Sequence, residues 1–315
     1  MMLLRPAHRP AASVAAVAAT VAAAACASSP RMVHDHGPTV ATTTTTTTVT
    51  SNPAPTVGAR GTLPPDAAGA AARLAASPRH GEYAMIRAGG DSVRAWVVYP
   101  ERATKAPVVV VVHEIFGLST WVRAVADQLA AEGFIAVAPD LLTGYPMRGN
   151  ADSVDVQAAV AQISQLDAGQ VQRRIAAAGA YGIGLPAAEP RYGVVGFCWG
   201  GSASFQHAVF AGQNNAAGYG AGVVYYGAAP AAAQLAQVKA PILGLFGGND
   251  ARVNATLPAA DSALKANAKP HEFNVFAGAG HGFLRQQDGA GGANMTASRQ
   301  AWPQTVAWFH RYLGQ

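Results

Sequence analysis

The chain has 315 residues, half of them hydrophobic and 12% charged, a composition that excludes a wholly disordered protein. The net charge of +5 sits mostly in residues 1–80, where six arginines face Asp35 and Asp66; residues 81–315 carry only +1. With no cluster of Lys and Arg in that nearly neutral part, a nucleic-acid binder is excluded. Two cysteines, Cys26 and Cys198, exclude a disulfide framework.

At the N-terminus Arg5, His8 and Arg9 precede an apolar run from Ala11 to Ala25. The run is shorter than the roughly 20 residues that span a bilayer. A basic flank, a short apolar core and small residues predict an export signal over residues 1–27. Two cleavage sites compete. Ala24-Ala25-Cys26 resembles a lipoprotein site, which makes Cys26 the lipidation candidate, and Ala25-Cys26-Ala27 is an A-x-A site. The lipoprotein reading accounts for a cysteine at the end of the apolar run. Residues 28–80 hold the threonine run Thr42–Thr48, prolines and many alanines, without a sustained apolar period. They read as a disordered linker. His34-Asp35-His36 lacks the further ligands of a structural zinc site, so no metal is expected.

From residue 81 strands and helices alternate. Residues 82–87 and 93–99 flank a glycine turn and read as a hairpin. The five valines 108–112 predict a strand buried on both faces. A helix over 119–132 ends at Gly133, and a strand follows over 134–138. One long helical stretch is predicted over 153–180. A strand at 192–197 leads into a helix at 199–210. Further strands fall at 223–226, 242–246 and 271–276, with helices at 257–268 and 297–312. Gly182-Ile183-Gly184 follows a helical stretch and precedes Pro186, which excludes a dinucleotide-binding loop. The pattern predicts a single α/β domain over 81–315: a mostly parallel central sheet flanked by helices on both faces. Sites in such folds lie beyond the carboxyl ends of the strands.

Four post-strand loops carry chemistry. Gly196-Phe197-Cys198-Trp199-Gly200-Gly201 is the strand–turn–helix nucleophile elbow G-x-S-x-G with cysteine in place of serine. It puts Cys198 at a helix N-terminus, which favours thiolate. Asp250 follows Gly247-Gly248-Asn249 after another strand, where an acid can orient a histidine. His281 stands among Gly278, Gly280 and Gly282 and reads as the general base. The order Cys198, Asp250, His281 is that of α/β-hydrolases. The fourth loop, His113-Glu114-Ile115-Phe116-Gly117-Leu118, lies where such folds supply an oxyanion-hole amide. The amides of Ile115 and Trp199 are the candidates. Glu114 beside a cysteine would raise the thiol pKa by like-charge repulsion.

These loops together resemble the dienelactone hydrolase family, carboxymethylenebutenolidase-like enzymes of the α/β-hydrolase fold. The carriers are Val-Val-His-Glu-Ile-Phe-Gly-Leu at 111–118, Ala-Pro-Asp-Leu at 138–141, the elbow at 196–201, Gly-Gly-Asn-Asp at 247–250 and Gly-His-Gly-Phe at 280–283. The resemblance implies a hydrolase of small esters or lactones with Cys198, His281 and Asp250 as its triad and an acyl-thioester intermediate. It implies that Glu114 keeps the resting cysteine protonated and helps form the thiolate when substrate arrives. It also implies that Arg285 holds a substrate carboxylate. The family's second such arginine has no counterpart here, because no arginine lies between Arg148 and Arg173. No cofactor is expected, and the partner is a small-molecule substrate. The membrane would be met only through the lipid anchor of an exported monomer. The rival readings are a thioesterase or peptidase using the same site, and a non-catalytic envelope lipoprotein that kept the fold.

Overall fold

A computed structural model describes residues 60–145 and 155–314, which belong to one compact unit. The export signal, Cys26 and residues 28–59 of the linker lie outside the described residues. In chain order the elements are α1 (Ala70–Ala75), β1 (Gly81–Ala88), β2 (Asp91–Val98), β3 (Ala106–Val112), α2 (Thr120–Ala131), β4 (Ile135–Pro139), α3 (Val156–Ile163), α4 (Ala168–Ile183), β5 (Ala188–Phe197), α5 (Trp199–Asn214), β6 (Tyr219–Tyr225), β7 (Ile242–Gly247), α6 (Ala251–Asn254), α7 (Leu257–Ala266), β8 (His271–Phe276) and α8 (Ala293–Leu313). The strand order is β1-β2-β4-β3-β5-β6-β7-β8. The β1–β2 and β2–β4 pairs are antiparallel and the rest of the sheet is parallel. This is the mostly parallel sheet covered on both faces that the alternation of elements predicts, and the α/β-hydrolase fold that the family resemblance implies.

The valine strand shows why both faces must be covered. Val109 and Val111 of β3 join a core with Val122 and Leu129 of α2 and Trp302 and Phe309 of α8. Val108, Val110 and Val112 point the other way, into a core with Val171 and Ile175 of α4. Phe205 of α5 and Leu264 of α7 extend packing on that second side against Val224 and Phe246. A two-sided strand cannot hold polar residues without leaving them unpaired. Every residue of β3 is accordingly buried.

Two expectations are corrected. The single helix predicted over 153–180 is two helices, α3 and α4, broken at residues 164–167. Asp167 ends the break by accepting a hydrogen bond from the Gln170 amide at 2.6 Å, an N-cap that starts α4. The linker expectation also reaches too far. Residues 60–80 are ordered and form a strap against the domain. The Trp121 indole donates to the Pro65 carbonyl at 3.0 Å, Gln287 to the Pro64 carbonyl at 2.9 Å and the Ala67 amide to the Arg285 carbonyl at 2.9 Å. Arg79 clamps Asp127 of α2 through two hydrogen bonds, at 3.0 and 2.6 Å, with both side chains buried. Removing one partner of a buried pair leaves the other charge uncompensated. Asp127→Ala is therefore expected to cost about 3 kcal/mol of stability, read as a lowered urea midpoint with unchanged slope. A midpoint equal to wild type would mean that the strap is not anchored there.

Candidate active site

The elbow between β5 and α5 places Cys198 at φ 58°, ψ −118°, a strained backbone for a residue with a side chain. Its neighbours explain how the strain is tolerated. A Cβ on Gly196 would lie 1.9 Å from the Gly200 carbonyl oxygen, and one on Gly200 would lie 2.3 Å from the His113 carbonyl oxygen. Only glycine fits at either position, and the turn lifts the sulfur above the sheet at the start of α5.

The loops after β7 and β8 are laced together and meet the sulfur. The Asn249 amide donates to the Ala279 carbonyl and its side chain to the Gly278 carbonyl, both at 2.9 Å. Asn294 of α8 fixes the second loop from below, accepting from the Gly280 amide at 2.9 Å and donating to the Gln286 carbonyl at 2.7 Å. The outcome is a line of three groups. Asp250 Oδ2 is 2.5 Å from His281 Nδ1, and His281 Nε2 is 3.0 Å from Cys198 Sγ. A carboxylate accepts, so Nδ1 carries the proton and donates it to Asp250. Nε2 of the neutral ring is then the acceptor facing the thiol.

The loop after β3 supplies the other wall. His113 is fully buried, and burial pushes its pKa down. Its Nε2 accepts from the Leu141 amide at 3.1 Å, which leaves Nδ1 to donate to the Glu114 carbonyl at 2.7 Å. The ring thus pins the loop that carries Ile115, and it stacks on Trp199. Ile115 and Trp199 both line a cavity of about 470 Å³ whose wall includes Cys198 and His281. Trp199 begins α5, where an amide has no partner within the helix. The Trp199 backbone N–H pulls the Cys198 pKa down, against the larger effect of burial.

Glu114 is buried beneath this cavity, 3.1 Å from Arg285 Nε but not aligned with it as a hydrogen bond. Burial pushes its carboxyl up to about 7, while the Arg285 charge pulls the other way. Burial also raises the Cys198 thiol; the nearby Glu114 charge adds to the rise and Arg252 opposes it. Tyr226 is buried among these groups with its hydroxyl unpartnered and its ring edge-on to His281. Burial and the Glu114 charge hold that phenol well above its usual range.

Arg285 lines the cavity, as its proposed contact with substrate requires, but its guanidinium is engaged internally. It faces Glu114 and lies over the Phe116 ring at 4.7 Å. Arg148 lies outside the described residues. Arg174, the neighbour of Arg173 on α4, is tied up by Asp91 at 2.7 Å and the Leu141 carbonyl at 2.8 Å. The second arginine of the cavity is instead Arg252, two residues after Asp250. Reading along the chain missed it, together with His113, Tyr226 and Asn294. Only its place two residues after Asp250, in the short helix that Asp250 caps, could have pointed to Arg252. Among the described residues no group of three or more His, Cys, Asp or Glu is set to hold a metal ion.

Comparison with known proteins gives the family. A Methylorubrum extorquens protein described as "Putative carboxymethylenebutenolidase" is 31% identical over 70% of this chain and 77% of its own. A Salmonella typhimurium protein with the same description is 29% identical over 81% of this chain and 98% of its own. Among solved structures, a Klebsiella pneumoniae protein described as "Putative Dienelactone Hydrolase" superposes with TM-score 0.65 at 24% identity, covering 75% of this chain and 100% of that one. Residues 93–313, which hold the elbow and the other three loops, match the dienelactone hydrolase family. The chain belongs to that family.

Proposed function

We propose that the protein hydrolyses small carboxylic esters or lactones with Cys198 as nucleophile. The observation that carries this reading is the line Asp250–His281–Cys198 at the rim of the sheet, opening on a cavity. His281 Nε2 takes the thiol proton as the sulfur attacks the acyl carbon. Two amide N–H groups, of Ile115 and Trp199, receive the negative charge that builds on the carbonyl oxygen. The C–O bond breaks, the leaving oxygen takes the proton from His281, and the acyl group stays on sulfur as a thioester. In a lactone the released alcohol remains attached to the acyl chain. Water then gives a proton to His281 and attacks the thioester. The C–S bond breaks, the acid leaves, and the sulfur regains its proton. Asp250 holds the ring in the required tautomer and offsets the charge of the imidazolium.

Glu114 belongs to the same machinery. With substrate absent, its charge and the burial of the sulfur favour the neutral thiol over the thiolate. Arg285 keeps the carboxylate near the sulfur, and Arg252 is the guanidinium left facing the cavity on the acid side. The reading extends to location: the apolar run Ala11–Ala25 and Cys26 support an exported, lipid-anchored enzyme.

The direct test is to quench the protein with acid within the first turnover of p-nitrophenyl acetate and weigh it. A mass increase of one acetyl group on the peptide containing Cys198 is expected, and none on the Cys198→Ala variant. Hydrolysis proceeding with unmodified Cys198 at every quench time would overturn the thioester route.

A further inference from the structure

A second cavity adjoins the catalytic one. It measures about 300 Å³ and shares Trp199 and Ser202 with the first. Trp199 follows the nucleophile directly, so the shared wall stands beside the point where the acyl carbon would sit. The remaining walls come from the end of α3 and the break after it, through Ile163 and Leu166, from the start of α4, through Ala168 and Val171, and from the segment Ala228–Pro230 after β6. Ile115, Leu166 and Trp199 all pack against the small buried cluster of Leu142, Ala159 and Ile163, which ties this side chamber to the loop of the proposed oxyanion amide.

The polar groups of the chamber are mostly spoken for. Gln172 donates to the Ala203 carbonyl at 3.2 Å and meets His207 Nδ1 at 3.0 Å. Ser202 accepts from the Ala228 amide at 2.8 Å. Gln206, half-buried, is the remaining polar side chain of the wall. An apolar substituent entering here would leave Gln172 and Ser202 with their partners, whereas a charged one would lose water without gaining a counter-charge. The two cavities therefore differ in chemistry. The first carries Glu114, Arg252 and Arg285; the second holds no ionisable side chain.

We propose that this side chamber receives the apolar substituent of the ester, so that the enzyme's substrates are esters or lactones bearing a hydrocarbon chain or ring of several carbons. This rests on the hydrolase reading above and narrows it to a substrate class. Burying each methylene is worth roughly a fourfold factor. Selectivity should therefore climb with chain length until the chamber is full.

The experiment compares kcat/KM along two series, p-nitrophenyl acetate to octanoate and ethyl to octyl acetate. The first places the chain on the acyl side and the second on the alcohol side. Two variants fill the chamber from different walls, Ala229→Trp after β6 and Ala168→Trp at the exposed start of α4. In one of the two series the wild type is expected to gain at least tenfold from the shortest to the middle chain lengths. Both variants should lose that gain while hydrolysing the shortest ester of that same series within about twofold of wild type, a small change for a surface wall. The Ala168 position keeps the test open if a tryptophan at 229 disturbs folding. Flat wild-type profiles in both series, or a gain that survives in a folded filled variant, would overturn the side-chamber assignment and leave the hydrolase reading standing. Failure of the wild type to cleave any ester of either series would overturn the hydrolase reading itself.

Discussion

Replacing Cys198 with alanine is expected to lower kcat/KM for p-nitrophenyl acetate by about a thousandfold or more, and His281→Ala by a comparable factor. The sulfur is the atom that forms the new bond, and the imidazole 3.0 Å away is the acceptor for its proton. With alanine at 198 no acyl-enzyme can form. With alanine at 281 the thiol keeps its proton, because burial and Glu114 both raise its pKa. The two residues act on one step, so the double variant should be little worse than either single one. Additive losses would mean that they serve separate steps. Circular dichroism and a urea midpoint check the fold. Neither substitution should disturb it greatly, since His281 is only partly buried and Cys198→Ala keeps a Cβ at the elbow. A Cys198→Ala variant with wild-type activity would remove the sulfur from the mechanism.

How much of this was legible in the chain depends on how local the cause was. The valine run at 108–112 announces a two-sided strand by itself. The elbow is legible because its spacing of glycines around a central residue is itself the signal: Gly196 is required by Gly200 four residues on, although Gly200 is required by the distant His113 carbonyl. Asp250 and His281 are visible because glycine-rich loops after strands are rarely a packing solution. The break between α3 and α4 was not visible. Ser164, Gln165 and Leu166 carry neither glycine nor proline, and the cue is the cap by Asp167, which also fits a helix interior. The strap at 60–80 has the alanine and proline content of a linker. Its order comes from Arg79 with Asp127 and from Trp121 with Pro65, pairings across 48 and 56 residues that no local pattern encodes. His113 was equally hidden, since its task depends on the Leu141 amide, 28 residues away. For the strap and for His113 the missing information was a long-range partner, and for the helix break it was a local cap that also reads as helix.

Glu114→Gln gives the second large effect, and its signature is a dependence on pH. In the wild type the buried carboxyl holds its proton up to about 7, above the 4.5 of an ordinary glutamate. Between those values the folded state binds a proton that the unfolded state has released. Wild-type stability must then fall as pH rises from 4.5 to about 7, and level off above. The total fall is on the order of 3 kcal/mol. Glutamine has no proton to lose, so the variant should lack this slope, and its stability relative to wild type should grow across the same window. The attraction of Arg285 acts only on the ionised carboxyl and is already contained in the raised pKa, and the guanidinium itself does not titrate in that range. Reactivity should follow the same titration. Below pH 6 both proteins have a neutral group at 114 and should react with iodoacetamide at similar rates. Above pH 7 only the wild type places a negative charge near the sulfur, so the variant should form thiolate more readily and be alkylated several-fold faster. Urea unfolding and alkylation rates at pH 5, 6, 7 and 8 measure both effects. Parallel stability profiles for the two proteins would show that Glu114 is ionised throughout and is not a buried proton store. A rate ratio independent of pH would show that its charge does not reach Cys198, and the resting thiol would then owe its proton to burial alone.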